Sequence, residues 1–437
     1  MSNNNDHPAF APRWASRAAG SLRAVAVVVA AALAGCASSE REQLSEARLN
    51  ELAAQDSAQW QQEFHDAVGR LMARTEREVD SATSAAPATL DILALTGGGD
   101  YGAFGAGALV GWGQAADPAW RRPDFDAVTG VSTGAMLAPF AYVGTDESCA
   151  YVENFYRNPQ KDWVKERGIL FFLPSNASFM TIPGLDRDLN SAMARQFVEK
   201  IAERSRSGKL LAITATNLDL GRQRVWDVGA AAEAAVASGD YSRLVKFMFA
   251  SSAIPAAFPP VEIDGFLYAD GGVSANVFLR LDVTSPDAML PRWWKAHPGK
   301  PMPKVRYWII VNNQLKQPPK TVQPKWPSVI APSLATAIRS ATISEIRWLA
   351  ARADHVNAAY GTAIEVRVLA IPEEWRAPVQ GDFQKETMAS LADIGRLQGA
   401  DPSAWKLWTM PARNAPAAAA SAGGGTDASH LAGGAVE

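Results

Sequence analysis

Cysteine is nearly missing from this chain: among 437 residues only Cys36 and Cys149 carry a thiol. A disulfide framework is therefore excluded as the basis of the fold, and a chain of this length can bury a core large enough to need none. Histidine is almost as sparse. His7, His65, His297, His355 and His430 form no pair at metal-ligand spacing, so no metal is expected. Charge of one sign is lacking too. The formal net charge is -3, and the Lys and Arg residues are scattered without a sustained basic block, which argues against nucleic acid as a partner. The uncharged run "AVAVVVAAALAG" falls short of the roughly 20 residues of a spanning helix. Preceded by Arg13, Arg17 and Arg23, it reads as the apolar core of an export signal.

What is present is apolar patterning, at 48% hydrophobic and 20% charged residues, the composition of an ordinary globular protein. Between Glu40 and about Ser81 the chain is charged and glutamine-rich, with Trp60, Phe64, Val68 and Leu71 on one helical face. That stripe is expected to pack on the following domain. "SATSAAPATL" reads as a linker. Beyond it, strand and helix patterns alternate: "TLDILAL", "FDAVTGVS", "LLAITATNL", "RYWIIVNN" and "AIEVRVLAI" read as strands, with a long helix between the last two. The expected fold is α/β, a mostly parallel sheet flanked by helices on both faces. The expected organisation is a signal segment over 1–35, an anchor, helix and linker over 36–88, the α/β domain over 89–410, and a low-complexity tail over 411–437.

Three glycine-rich motifs carry the chemistry. Gly130-Val131-Ser132-Thr133-Gly134 lies where a strand ends and a helix begins, the context in which a sharp turn pushes a serine hydroxyl out above the sheet. Upstream, Gly97, Gly98, Gly99 and Gly102 follow the first strand. Backbone N–H groups at such a helix start suit an oxyanion, the charge that an attacking serine creates. The same glycines also fit a dinucleotide fingerprint, but the acidic residue that a dinucleotide needs at the end of the next strand is misplaced: Asp117 and Asp124 precede that strand and Asp126 begins it. The third motif, Asp270-Gly271-Gly272, presents a carboxylate at a turn after a short apolar strand. Cys149, in "DESCAYV", reads as a small packing residue rather than a nucleophile.

In this order, and with "ASSAIPAAFPP" ahead of the aspartate, the motifs resemble the patatin-like phospholipase family over about residues 89 to 280. The resemblance implies a lipid acyl hydrolase without a cofactor, acting on lipid or lysolipid esters through an acyl-enzyme. Ser132 would be the nucleophile, Asp270 its base without a histidine, and Gly97, Gly98, Gly99 and Gly102 the surroundings of the oxyanion. An aspartate near pKa 3.9 is a weak base for a hydroxyl, so burial of Asp270 is expected to raise it. One departure stands out. Tyr101 occupies a position where many members carry Arg or Lys, which puts head-group preference in doubt. Two other readings stay open: a Ser-Asp-His hydrolase using His297 or His355, and a non-catalytic envelope lipoprotein that keeps the fold for binding. Leu33-Ala34-Gly35-Cys36 resembles the lipobox of bacterial lipoproteins. It implies cleavage before Cys36, lipidation there and, with Ala37 and Ser38 following, anchoring at the outer membrane facing the periplasm.

Overall fold

The computed structural model describes residues 41–82, 88–168, 176–278, 289–300 and 302–409. The signal segment, Cys36 and the tail over 411–437 lie outside the described residues.

The chain opens with helix α1 (Glu46–Ser81), capped by the Ser45 side chain. Strand β1 (Thr89–Leu95) leads into α2 (Gly102–Gly113), and β2 (Ala127–Val131) into α3 (Thr133–Val143) and α4 (Asp146–Arg157). A small ribbon of β3 (Lys165–Glu166) and β4 (Met180–Thr181) precedes α5 (Pro183–Ala192) and α6 (Arg195–Arg206). Then come β5 (Leu210–Asn217), β6 (Arg222–Asp227), α7 (Val228–Ser238), α8 (Ser242–Ser252) and the hairpin β7 (Val261–Ile263) and β8 (Phe266–Ala269). The remainder is α9 (Met289–Ala296), β9 (Lys304–Val311), α10 (Trp326–Tyr360), β10 (Ile364–Ala370), α11 (Lys385–Ala400) and β11 (Lys406–Leu407).

The main sheet has the order β11-β10-β9-β1-β2-β5-β8-β7, with β6 also paired to β5. Strands β10, β9, β1, β2 and β5 are parallel, β11, β6 and β8 run against them, and β7, antiparallel to β8, shares their direction. This is the expected mostly parallel sheet. Its strands alternate between two cores, as the period of two requires. In β1, Leu93 and Leu95 join the core under α2 to α8 and α11, whereas Leu90, Ile92 and Ala94 join the one under α10.

Two contacts fix the outer helices. Glycines let α2 and α11 approach almost backbone to backbone: an added Cβ would lie 2.1 Å from the Ala392 carbonyl at Gly107 and 2.0 Å from that of Arg396 at Gly111. Much of the glycine run after β1 thus serves helix packing. Helix α1 lies against the domain through its apolar stripe, with Val68 and Met72 on Trp293. Ion pairs from Arg222 and Arg224 of β6 to Asp56, and from Arg224 to Glu63, hold its first half.

Candidate active site

Ser132 stands between the end of β2 and the start of α3 with φ 54° and ψ -125°, a strained backbone for a residue with a side chain. Close packing explains the glycines beside it. A Cβ on Gly130 would lie 2.4 Å from the Gly134 carbonyl oxygen, and one on Gly134 would lie 2.1 Å from that of Leu95. The turn is also held from below. The Ser132 N–H donates to Ser251 Oγ at 2.9 Å, and Ser251 in turn donates to the Thr214 carbonyl at 2.6 Å.

Sheet register brings Asp270 to this serine. Strand β6 pairs with β5 along Ala212 to Asn217 and so occupies one side of it. The other side is shared by β2, whose last residue Val131 pairs with Thr214, and β8, whose last residue Ala269 pairs with Thr216. One strand runs up and the other down, so they meet head-on beside Ala215. Ser132 and Asp270 are the residues that follow each end. Their side chains face one another there, and the Ser132 hydroxyl pulls the Asp270 carboxyl downward.

Asp270 is buried, 3% exposed, and burial pushes its carboxyl up to about 6 against the opposing pull of hydrogen bonds from Ser132 and the Gly272 N–H. The 2.8 Å bond from Gly272 fixes one carboxylate oxygen, and the Asp270 N–H donates to the Ala253 carbonyl at 2.8 Å. A Cβ on Gly271 would lie 2.5 Å from the Thr214 carbonyl, so the turn can sit flat on β5 only without one.

The glycines expected around the oxyanion separate into two kinds. The Gly97 N–H already donates to Asn276 Oδ1 at 2.8 Å. Gly102 N–H turns back to the carbonyls of Gly99 and Asp100, and a Cβ there would run into Thr133 Oγ1. As free donors these two are corrected: one amide positions the turn and the other closes a helical one. Among the described residues the amides of Gly98 and Gly99 have no acceptor, and Gly99, with φ +62°, borders the pocket over Ser132.

Asn276 is a residue that motif reading missed. Besides accepting from Gly97, it donates through Nδ2 to Thr342 Oγ1 at 2.8 Å, and its own N–H and that of Val277 donate to Glu345 Oε2 at 3.2 and 2.8 Å. It ties the first glycine turn, the Asp270 turn and α10 together. Burial pushes Glu345 up to about 7 despite those two amides. His297 is distant in kind: its ring is buried against Trp293 and its Nε2 faces Glu76 of α1. His355 lies exposed on α10. Neither borders the Ser132 pocket.

The patatin-like phospholipase family model matches residues 93–282, a span that opens in β1 and closes past Asp270. The chain carries a patatin-like domain. Lipid acyl hydrolysis is the activity class of that family. No curated protein matches the chain. The crystal structure of VipD from Legionella pneumophila is similar at 13% identity with a TM-score of 0.32, over 75% of this chain and 70% of VipD.

Within the patatin-like domain Ser132 lines an apolar pocket, walled among others by Met136, Phe155, Trp163, Leu185, Phe258 and Phe383. Phe383 comes from a loop before α11 and has φ 54°. Its N–H donates to Asp100 Oδ2 at 3.0 Å, and burial pushes Asp100 up to about 6. Tyr101, where a cation was expected from the family pattern, is half-buried and meets Trp375 edge-on, with ring centroids 5.4 Å apart. Cys149 is buried and its thiol is pushed up by burial, as suits a packing residue.

Proposed function

We propose that the chain hydrolyses acyl esters of lipids, with Ser132 as nucleophile and Asp270 as the only base. The observation that carries this reading is the juxtaposition of a strained serine and a buried aspartate raised to about 6, beside an apolar pocket that the serine lines. A carboxylate near 6 is a stronger base than an exposed one, yet is mostly ionised at pH 7.

The steps balance as follows. Ser132 Oγ forms a bond to the ester carbonyl carbon as its proton moves to an Asp270 oxygen, and the carbonyl electrons collect on the oxyanion. The amides of Gly98 and Gly99 receive that charge at the start of a helical turn, where N–H groups need no reorganisation. Collapse breaks the bond to the leaving alkoxide, which takes the proton from Asp270 and leaves an acyl-Ser132. Water then attacks the acyl carbon, its proton passes to Asp270, and collapse returns that proton to Ser132 Oγ as the fatty acid departs. The mostly apolar walls suit an acyl chain better than a polar head group.

Anchoring belongs to the same proposal and rests on sequence alone: lipid on Cys36 holds the enzyme at the outer membrane, facing the periplasm. Two or more acyl chains give a stable anchor where one gives only marginal binding. Metabolic labelling with a fatty-acid analogue should mark the parent and spare Cys36→Ser.

The catalytic reading is tested by labelling purified protein with a fluorophosphonate and mapping the modified peptide. Modification at Ser132, lost in Ser132→Ala, is expected. Folded protein that ignores the probe would instead favour a binding module.

A further inference from the structure

Helix α10 is too long for the work its position requires. It returns the chain from the end of β9 to the start of β10, strands of 8 and 7 residues that span about 25 Å. At 35 residues the helix spans about 50 Å. Because its C-terminal end is fixed three residues before β10, the excess overhangs the carboxyl edge of the sheet, where Ser132 and Asp270 lie. Burial follows that geometry. Thr342, Ile346, Leu349, Ala350, Ala353 and Val356 are buried, whereas none of residues 328–341 is.

The overhang has a distinctive composition. From Lys316 to Arg339 the preceding loop and the first half of the helix contain Lys316, Lys320, Lys325 and Arg339 and no acidic residue, in a chain whose formal net charge is -3. The three lysines are exposed, and no ion pair engages them among the described residues. Arg339 serves the fold, donating to the Gln314 carbonyl and Gln317 Oε1 at 3.0 and 2.7 Å and so pinning the preceding loop to the helix. Between Lys325 and Arg339 the helix carries no charge, and Val329 and Ile330 are 44% and 45% exposed, with Val322 of the loop at 42%. Ile338 adjoins the Asp270 turn, 3.6 Å from where a Cβ on Gly272 would stand, and Val273 beside it is 42% exposed.

We propose that the loop and half-helix over residues 316–338, with Val273, form a docking surface for an anionic phospholipid bilayer. Exposed aliphatic side chains enter the boundary between head groups and acyl chains, and the lysines meet the negative head groups. A positive, apolar projection on a slightly negative protein turns the active-site edge toward such a surface, and sign complementarity favours the bilayer over a second, like-charged copy. A lysine near a charged leaflet is worth about fivefold in affinity, so three give roughly 100-fold. The orientation is useful only if the hydrolase reading above holds, but the docking itself is measured independently of turnover.

The test uses the full chain carrying Cys36→Ser, with Val329→Cys bearing an environment-sensitive fluorophore and, as a control, the same label at Leu397→Cys, exposed on α11. Vesicles of phosphatidylglycerol should shift the Val329 label to the blue and leave the Leu397 label unchanged. Combined Lys316→Glu, Lys320→Glu and Lys325→Glu should weaken the response by about 100-fold. The triple variant should lose hydrolysis of vesicle-borne esters to a similar degree while keeping that of a short soluble ester. A Val329 label indifferent to vesicles overturns the proposal, and one that responds instead to protein concentration without vesicles assigns the surface to a second copy. Hydrolysis of neither ester would overturn the proposed function and leave the fluorescence result standing.

Discussion

The two ends of the central sheet treat buried carboxylates in opposite ways. At the amino ends of the parallel strands each has a cation: Asp91 pairs with Arg306, Asp126 with Arg74 and Lys209, and the half-buried Glu365 with Lys304 and Arg367. Partial burial pushes Glu365 up, but its cations outweigh it and it ends below the usual range. At the carboxyl ends Asp100, Asp270 and Glu345 have no ion pair among the described residues, and burial leaves them raised to about 6, 6 and 7. One end uses charge to hold register. The other tolerates poorly solvated charge, and in Asp270 that discomfort is basicity. Because these three bind protons more tightly folded than unfolded, where carboxyls titrate near 4, their linkage subtracts stability as pH rises from about 4 to about 7.

The sharpest way to break the comparison is to remove charge from the carboxyl end. Ser132→Ala and Asp270→Asn should each lower ester turnover by about 10⁴-fold, since nucleophile and base act as a unit. Asp270→Asn should nevertheless melt no lower than the parent at pH 8, where the parent buries an unpaired anion. Calorimetry on the same samples decides this, and a lower melting point would mean that the carboxylate is stabilised in ways its surroundings do not reveal. Next is Gly98→Ala. The added Cβ would lie 2.1 Å from the Asn312 carbonyl, so the turn must shift, and turnover should fall by about 10²-fold as a donor moves away, alongside a lower melting temperature. At Gly99 the same atom meets nothing within 4 Å, and the cost should be limited to the strain of φ +62°, about 1 kcal/mol.

At the opposite end the signature reverses. Arg306→Met should cost about 2 kcal/mol in denaturant titration, because it leaves the buried Asp91 carboxylate without a cation and with the Trp308 indole N–H as its remaining side-chain donor, with kcat unchanged; partial exposure of the arginine softens the loss. Acidification should affect both ends differently. Turnover falls about tenfold per pH unit below 6 as Asp270 takes a proton, before Glu365, held below the usual range by its cations, is touched, and a pH-rate profile read beside melting curves separates the two. The smallest effect is expected at the histidines. His355→Ala and His297→Ala should stay within about twofold of parental turnover per folded molecule, and collapse of either would restore a histidine base.

The parts of the site legible in the sequence are those written locally. Ser132 and Asp270 each sit beside the glycines their turns require, so spacing alone exposed them. The strand and helix alternation was equally clear, since β1 and β2 read as apolar runs. The partners that the fold imposes over distance were not legible. Nothing near Asn276 signals that it takes the Gly97 amide from 179 positions away, and the expectation that Gly97 stays free therefore failed. Ser251 and Phe383 are likewise ordinary in sequence and acquire their roles through packing. Glycine was read too narrowly as well, for in α2 it permits contact with α11, a reason visible only once both helices are placed.

The head-on meeting of β2 and β8 on one flank of β5 gives the protein a clock. A ribosome delivers the serine long before the aspartate, and the hairpin that carries Asp270 can dock only after β5 has taken its place. Under the mechanism proposed above, the hydroxyl has no base until then, so a half-made or prematurely nicked chain would be a silent one, and activity would arrive with the closing of the sheet.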